Sequence, residues 1–166
     1  MVDKSFYETL FRPFVGHPGR IQALKTANRL LTGITYLAYP LLLLFLLWKK
    51  DPRFWPVLLV PGISFVVVSL FRRICCFPRP YEVLDIRPLI PKNTRGKSFP
   101  SRHVFSIFII AMAFGYVWPW TGWVFALAGV LLALIRVVSG VHFPRDVLAG
   151  ALIALLLGAV GFYLVW

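Results

Sequence analysis

Acidic side chains and cysteines are scarce in this chain, and each scarcity removes a class of function. Its 166 residues include only 6 Asp and Glu against 18 Lys and Arg. The acidic residues, Asp3, Glu8, Asp51, Glu82, Asp85 and Asp146, are dispersed and form no pair at metal-ligand spacing, so neither a metal nor another cofactor is expected. The only two cysteines, Cys75 and Cys76, are sequence neighbours, which do not readily meet disulfide geometry; they are expected as lipid-facing or packed thiols. A cleavable leader is not expected either. Residues 1–27 scatter Lys4, Glu8, Arg12, His17, Arg20 and Lys25 among hydrophobics, where a leader has a basic start and then an apolar stretch. Internal repeats, low-complexity tracts and linkers are also missing, which favours a single domain over residues 1–166.

What the chain has in excess is apolar surface. A hydrophobic content of 59% and a mean hydropathy of +0.78 are too high for a water-facing exterior. Crossing the hydrocarbon core takes about 20 mostly apolar residues. Five stretches qualify: Leu30–Trp48, Phe54–Phe71, His103–Trp118, Gly122–Ser139 and Val147–Trp166. The polar turn Lys49-Lys50-Asp51-Pro52-Arg53 should fold the first two into an antiparallel pair. Phe6, Leu10, Phe11 and Phe14 can share one side of a helix, which predicts an amphipathic segment on the membrane surface within residues 1–27. The fold class is therefore all-α, an integral membrane helical bundle of about five transmembrane helices plus an N-terminal surface helix. Pro40, Pro61 and Pro119 are positions where helices kink or end, and His17, beside Gly16 and Pro18, reads as a loop residue.

A formal net charge of +12 implies an anionic partner. Nucleic acid is disfavoured because the basic residues interrupt apolar runs instead of forming a polar face with stacking aromatics. Residues 72–102 hold 8 of the 18 Lys and Arg in a single connection, and a connection that long in so small a chain is usually functional or disordered. With five spans, strict alternation brings this loop, the N-terminal segment and the junction of spans four and five to one face.

Three clusters meet there. Arg72 and Arg79-Pro80 close the second span, and a guanidinium grips two phosphate oxygens while staying charged. Ser98-Phe99-Pro100-Ser101-Arg102-His103 precedes an apolar helix, with Ser101 placed as its N-cap and the first-turn amides available to an anion. Arg136, Gly140, His142 and Asp146 form the third. Gly140 suits a helix end, Pro144 a helix start, and a carboxylate four residues after His142 can hold one ring nitrogen while the other presents a lone pair. Arginines, a helix terminus and two histidines are what phosphoryl transfer requires when no metal takes part.

These residues resemble the type 2 phosphatidic acid phosphatase (PAP2) superfamily, whose three motifs occur in this order over roughly residues 54–166. The first, a lysine, six residues and Arg-Pro, is matched with Arg72 in the lysine place, then Arg79-Pro80. The second, Pro-Ser-Gly-His, reads Pro100-Ser101-Arg102-His103, with arginine in the glycine place. The third, Ser-Arg, five residues, His, three residues, Asp, is kept at Arg136, His142 and Asp146, with Ile135 replacing the serine. The resemblance implies that Arg72, Arg79, Arg136 and Ser101 hold the phosphate, that His142 is the nucleophile, His103 the general acid and Asp146 the orienting carboxylate, and that a phosphohistidine forms. A glycine in the second motif allows close backbone approach, so Arg102 puts that amide contact in question and is expected to touch a second phosphate instead. Members commonly have six spans; here the surface helix stands in for the first.

The implied function is hydrolysis of a membrane lipid phosphate, with a polyprenyl diphosphate or phosphatidylglycerol phosphate favoured over phosphatidate and lipid A phosphates. Arg73, Lys92, Arg95, Lys97 and Arg102 give surplus charge for more than one phosphate. Vanadate-dependent haloperoxidases share the anion site, but five hydrophobic spans argue against them. The alternative from another class is a transporter or flippase of an anionic phospholipid or polyprenyl phosphate, since intramembrane arginines also line substrate paths. A carrier has no need of His103, His142 and Asp146. Orientation is pulled two ways. The face with the motifs carries 15 of the 18 Lys and Arg, which the positive-inside rule assigns to the cytoplasm, whereas the resemblance favours the extracytoplasmic side of the cell membrane, the expectation adopted.

Overall fold

The structure, a computed structural model, describes residues 2–92 and 94–166. Seven helices follow one another: α1 (Lys4–Phe11), α2 (Pro18–Trp48), α3 (Phe54–Cys75), the single turn α4 (Pro80–Val83), α5 (Arg102–Val117), α6 (Pro119–Val138) and α7 (Pro144–Val160). A 3₁₀ turn over Arg12–Phe14 extends α1, and a widened turn over Gly161–Val165 ends α7.

Among the described residues, four helical stretches are long and apolar enough to cross a membrane, those built on α2, α3, α6 and α7. Their outward residues are large and apolar at helical spacing, for example Leu37, Leu41 and Leu44 on α2, and Leu148, Leu152 and Leu156 on α7. Such exposure suits lipid, and the chain is an integral membrane protein. The fifth apolar helix, α5, differs. Its 16 residues rise only about 24 Å, less than the roughly 30 Å of hydrocarbon. It is also the most buried helix, packed against α2, α3, α6 and α7. Protein, not lipid, surrounds it, so its N-terminus can lie recessed below the membrane surface with irregular backbone around it.

Small residues allow α5 its close neighbours. A Cβ at Gly150 of α7 would stand 2.7 Å from the Ser101 carbonyl, and one at Gly122 of α6 would stand 2.6 Å from the Gly115 Cα. The α2–α3 turn is tied by Asp51, which accepts from the Arg53 backbone N–H at 2.9 Å and from its guanidinium at 2.6 Å, while Arg53 donates to the Val117 carbonyl at the end of α5.

Three expectations change. The first span begins at Pro18, not Leu30, giving a helix of 31 residues, about 46 Å long. That exceeds the hydrocarbon thickness, so the charged turns bearing Arg20, Lys25 and Arg29 continue the same helix beyond it. The N-terminal helix exists, but it docks on protein: Tyr7 is fully buried, and α1 packs with Phe11 and Leu10 against Ile86 and Phe143. The basic connection starts later than residue 72, because α3 runs on to Cys75 and carries Arg72 and Arg73 in its last turn. Pro40 and Pro61 sit inside helices, Pro119 opens α6, and Cys75 and Cys76 are exposed free thiols.

The two ends of the bundle are chemically opposite. All 6 tryptophans, Trp48, Trp55, Trp118, Trp120, Trp123 and Trp166, lie at helix ends on the side away from the basic loop. Their exposed amphipathic rings form an interfacial belt there, leaving the other end to charge.

Candidate active site

The loop between α3 and α5 is shaped by buried arginines. Arg72 donates to the Ser98 carbonyl at 3.0 Å and also bonds the Lys97 carbonyl. Arg79 donates to the carbonyls of Gly96 at 3.3 Å, Lys97 at 3.4 Å and Val141 at 3.1 Å. Lys97 adopts a left-handed φ of 56°, and its carbonyl serves both guanidinium groups. Glu82 clamps the loop from below, accepting from the Arg79 N–H at 2.7 Å and the Gly96 N–H at 2.9 Å. Each arginine is thus held rigidly while some of its donors remain free for an anion.

His142 lies in the turn between α6 and α7. Gly140, at φ +72°, makes the turn possible; a Cβ there would also stand 2.8 Å from the Phe11 ring. The His142 Nδ1 is 3.4 Å from the Asp146 carboxylate, which also accepts from the Phe143 N–H at 3.1 Å and the Ser98 hydroxyl at 2.5 Å. Asp146 is fully buried, so its position is fixed by these donors. With Nδ1–H directed at Asp146, Nε2 carries the lone pair, and Arg79 Nη1 is 3.4 Å from it. Burial, opposed by the Asp146 hydrogen bond, pushes the imidazole down to about 4, so His142 is neutral at physiological pH.

One cavity of about 200 Å³ gathers most of these groups. His103 and His142 both line it, together with Arg72, Arg73, Arg79, Lys92, Lys97 and Arg102, and no carboxylate does. Six cations around one space, with no carboxylate in its lining among the described residues, make an anion site. His103, in the first turn of α5, also borders a second space of about 380 Å³, whose lining includes Arg136.

The remaining sequence candidates fall differently. Arg136 is buried with its Nε unpartnered and lines the second space, not the first. Ser101 stands at the N-cap of α5, but its hydroxyl caps no helix amide; it is fully buried, unpartnered and outside the lining of either space. The capping expectation is therefore corrected. The Ser101 N–H instead bonds the Asp146 carbonyl at 2.8 Å, tying α5 to α7. Arg102 needs no unusual backbone, and its guanidinium lies 5.7 Å from the Phe65 ring centroid at the cavity rim.

Three contributors, Ser98, Glu82 and Tyr7, escaped the sequence reading as functional groups, and Lys92 entered it only as surplus charge for a second phosphate. Ser98 and Glu82 act through the contacts just given. Lys92 borders both spaces, and burial followed by repulsion from Arg136, Arg79, Arg102 and Arg72 pushes its ammonium down to about 8. Tyr7 donates its hydroxyl to the His142 carbonyl at 2.9 Å, so α1 braces the turn that bears the histidine. Burial raises the Tyr7 hydroxyl well above the usual phenol range, keeping it a donor. Tyr7→Phe strands a buried carbonyl, and kcat is expected to fall roughly threefold to tenfold with KM little changed. Unchanged kcat with a lowered Tm would show that the brace serves stability alone. Of these signals, only Glu82, three residues after Arg79 with Pro80 between, had a local pattern, that of a helix start.

The PAP2 superfamily model matches residues 53–166. Undecaprenyl-diphosphatase BcrC of Bacillus subtilis (strain 168) is 30% identical over 104 residues, covering 62% of this chain and 53% of that protein. The bacitracin transport permease protein BcrC of Bacillus licheniformis is 31% identical over 98 residues, covering 57% of this chain and 48% of that one. The chain thus spans about half the length of the curated relatives it matches. The crystal structure of Aquifex aeolicus LpxE superposes with a TM-score of 0.75 at 26% identity, covering 97% of this chain and 94% of that one. With the family model matching well over half of its residues, and the histidines and arginines of all three motifs gathered at one end of the bundle, the chain belongs to the PAP2 superfamily.

Proposed function

We propose that the chain is a metal-independent lipid phosphate phosphatase working through a phosphohistidine. The observation that carries this is the shared cavity: two imidazoles and six cations around one space, with His142 backed by Asp146 so that Nε2 carries the lone pair, 3.4 Å from Arg79 Nη1. In the first step His142 Nε2 attacks phosphorus; the P–N bond forms as the bond to the leaving oxygen breaks. His103 gives that oxygen a proton, and the anionic substrate supplies the counter-charge that a proton on His103 needs. Arg72 and Arg79 hold the equatorial oxygens, with Arg102 at the rim and Arg136 and Ser101 behind. In the second step water gives a proton back to His103 and attacks the phosphohistidine, releasing orthophosphate and restoring Nε2.

A polyprenyl diphosphate or phosphatidylglycerol phosphate is the favoured substrate, and the former agrees with the name of the Bacillus subtilis relative. The transport name of the Bacillus licheniformis relative keeps a lipid carrier as the second reading. Against it, a carrier gains nothing from an oriented, neutral, buried imidazole.

We further propose that the active face is extracytoplasmic. Nine of its basic residues line the spaces around the site, Arg29, Arg136 and six of the 72–102 segment in the two spaces above and Arg95 in a third, of about 630 Å³, that Lys92 also borders, so they are accounted for by substrate. Only Lys4, Arg12, Arg20, Lys25, Arg87 and Arg145 then weigh on orientation, against Lys49, Lys50 and Arg53 at the other end. Purified protein in detergent with chelator should release orthophosphate from lipid phosphates, and sealed right-side-out vesicles should release it outside. Activity only after metal is added back overturns the mechanism. Release only after the vesicles are opened overturns the orientation.

A further inference from the structure

The loop that holds the arginines in place also divides two spaces. A groove of about 630 Å³ is lined by Tyr81, Glu82, Lys92 and Arg95, all from α4 and the loop that follows it. Neighbouring loop residues face opposite ways: Thr94 and Lys97 line the His142 cavity, while Arg95 lines the groove. This partition is pinned to α4. The Tyr81 hydroxyl donates to the Thr94 carbonyl at 2.5 Å, and the Gly96 N–H donates to Glu82 at 2.9 Å. Glu82 is the groove's carboxylate, but its oxygens already accept the Gly96 and Arg79 N–H groups, so the charge left to face the groove is that of Lys92 and Arg95. Among the described residues, Lys92 alone lines both the groove and the cavity. The passage between the two therefore runs beside its side chain.

Hydrolysis leaves two products with opposite needs. The lipid product keeps its tail in hydrocarbon, and the α2 space borders the helix whose exposed Leu30, Ile34 and Leu37 suit lipid. Orthophosphate is a small anion that hydrocarbon excludes, so it needs a polar, cationic way to water. Resting on the phosphatase reading above, we propose that orthophosphate leaves the His142 cavity past Lys92 and reaches water through the groove of Tyr81, Glu82 and Arg95. The cations are arranged in sequence along this route. Lys92 spans cavity and groove, and the exposed Arg95 lines the groove but neither the cavity nor the α2 space. An anion leaving the cavity thus meets a further positive charge at each step, which lowers the cost of quitting the arginines behind it.

Orthophosphate itself serves as the probe. Inside the cavity it is attacked at phosphorus by His142 Nε2; its hydroxyl oxygen leaves as water with a proton from His103, and a solvent water then restores orthophosphate with a new oxygen. Purified protein is incubated with heavy-oxygen-labelled orthophosphate, and mass spectrometry of the isotopologues gives the number of oxygen exchanges per visit, which measures chemistry against escape. Lys92 also lines the cavity, so the informative variant is Arg95→Glu. Arg87→Glu, at an exposed position lining none of the three spaces, makes the same change of charge elsewhere. Arg95→Glu should slow escape and raise the exchanges per visit about threefold or more, while Arg87→Glu should match wild type. Exchanges per visit unchanged in Arg95→Glu, or raised equally by Arg87→Glu, overturn the route while leaving the phosphatase reading intact. A wild type that hydrolyses lipid phosphate yet exchanges no oxygen overturns the phosphohistidine and the route with it.

Discussion

His142→Ala is expected to lower phosphate release by at least about a thousandfold, with substrate binding largely kept. The side chain contributes in two ways that alanine cannot replace. Its Nε2 is, among the described residues, the lone pair that the geometry supplies inside the cavity on a group both neutral and oriented, and its ring completes the link from Asp146 and Ser98 to the reacting centre. The cations remain in the variant. Arg72 and Arg79 are held by the carbonyls of Gly96, Lys97, Ser98 and Val141, and Arg79 loses only its 3.4 Å contact with the imidazole, so the anion site should persist. Orthophosphate should therefore still bind while turnover is lost. An acid-labile phosphoprotein trapped by rapid quench in the wild type, and missing in His142→Ala, ties the loss to the covalent step. A variant retaining a tenth or more of the activity would show that water is attacking directly and that His142 is a binding residue.

The parts of this molecule that the sequence made legible are those encoded locally. Uncharged apolar runs marked the spans because lipid tolerates few charges, and motif spacing marked Arg72, Arg79, His103, Arg136, His142 and Asp146 because helix ends carry them to one face. What stayed hidden depends on distance. Tyr7 reaches the His142 carbonyl across 135 residues, and no local pattern distinguishes it from a surface aromatic. The start of α2 was misplaced because Arg20, Lys25 and Arg29 break the apolar run that sets a span, although they do not break the helix. Ser101 drew attention as a cap, while the hydroxyl that holds Asp146 belongs to Ser98, three residues earlier. Arg136 was read with the arginines that hold phosphate, and its place beside α2, in the space that adjoins the cavity at His103 and Lys92, has no local signal.

His103→Ala should give the second-largest loss, and its size should depend on the leaving group. For a lipid monophosphate the departing oxygen is an alkoxide, which cannot leave at neutral pH without a proton, so the loss is expected at about a hundredfold to ten-thousandfold. For a lipid diphosphate the departing group is itself a phosphate, stable as an anion, and the loss should be much smaller. Nitrophenyl phosphate, with a leaving oxygen that needs no proton, should be similarly insensitive. Rates for the three substrates with wild type and His103→Ala separate the roles this residue can play. A graded loss, largest for the alkoxide, marks a proton donor. Equal losses across the three would mark His103 as a phosphate ligand, and the proton would then have to come from Lys92, the other group bordering both spaces, whose ammonium burial brings to about 8.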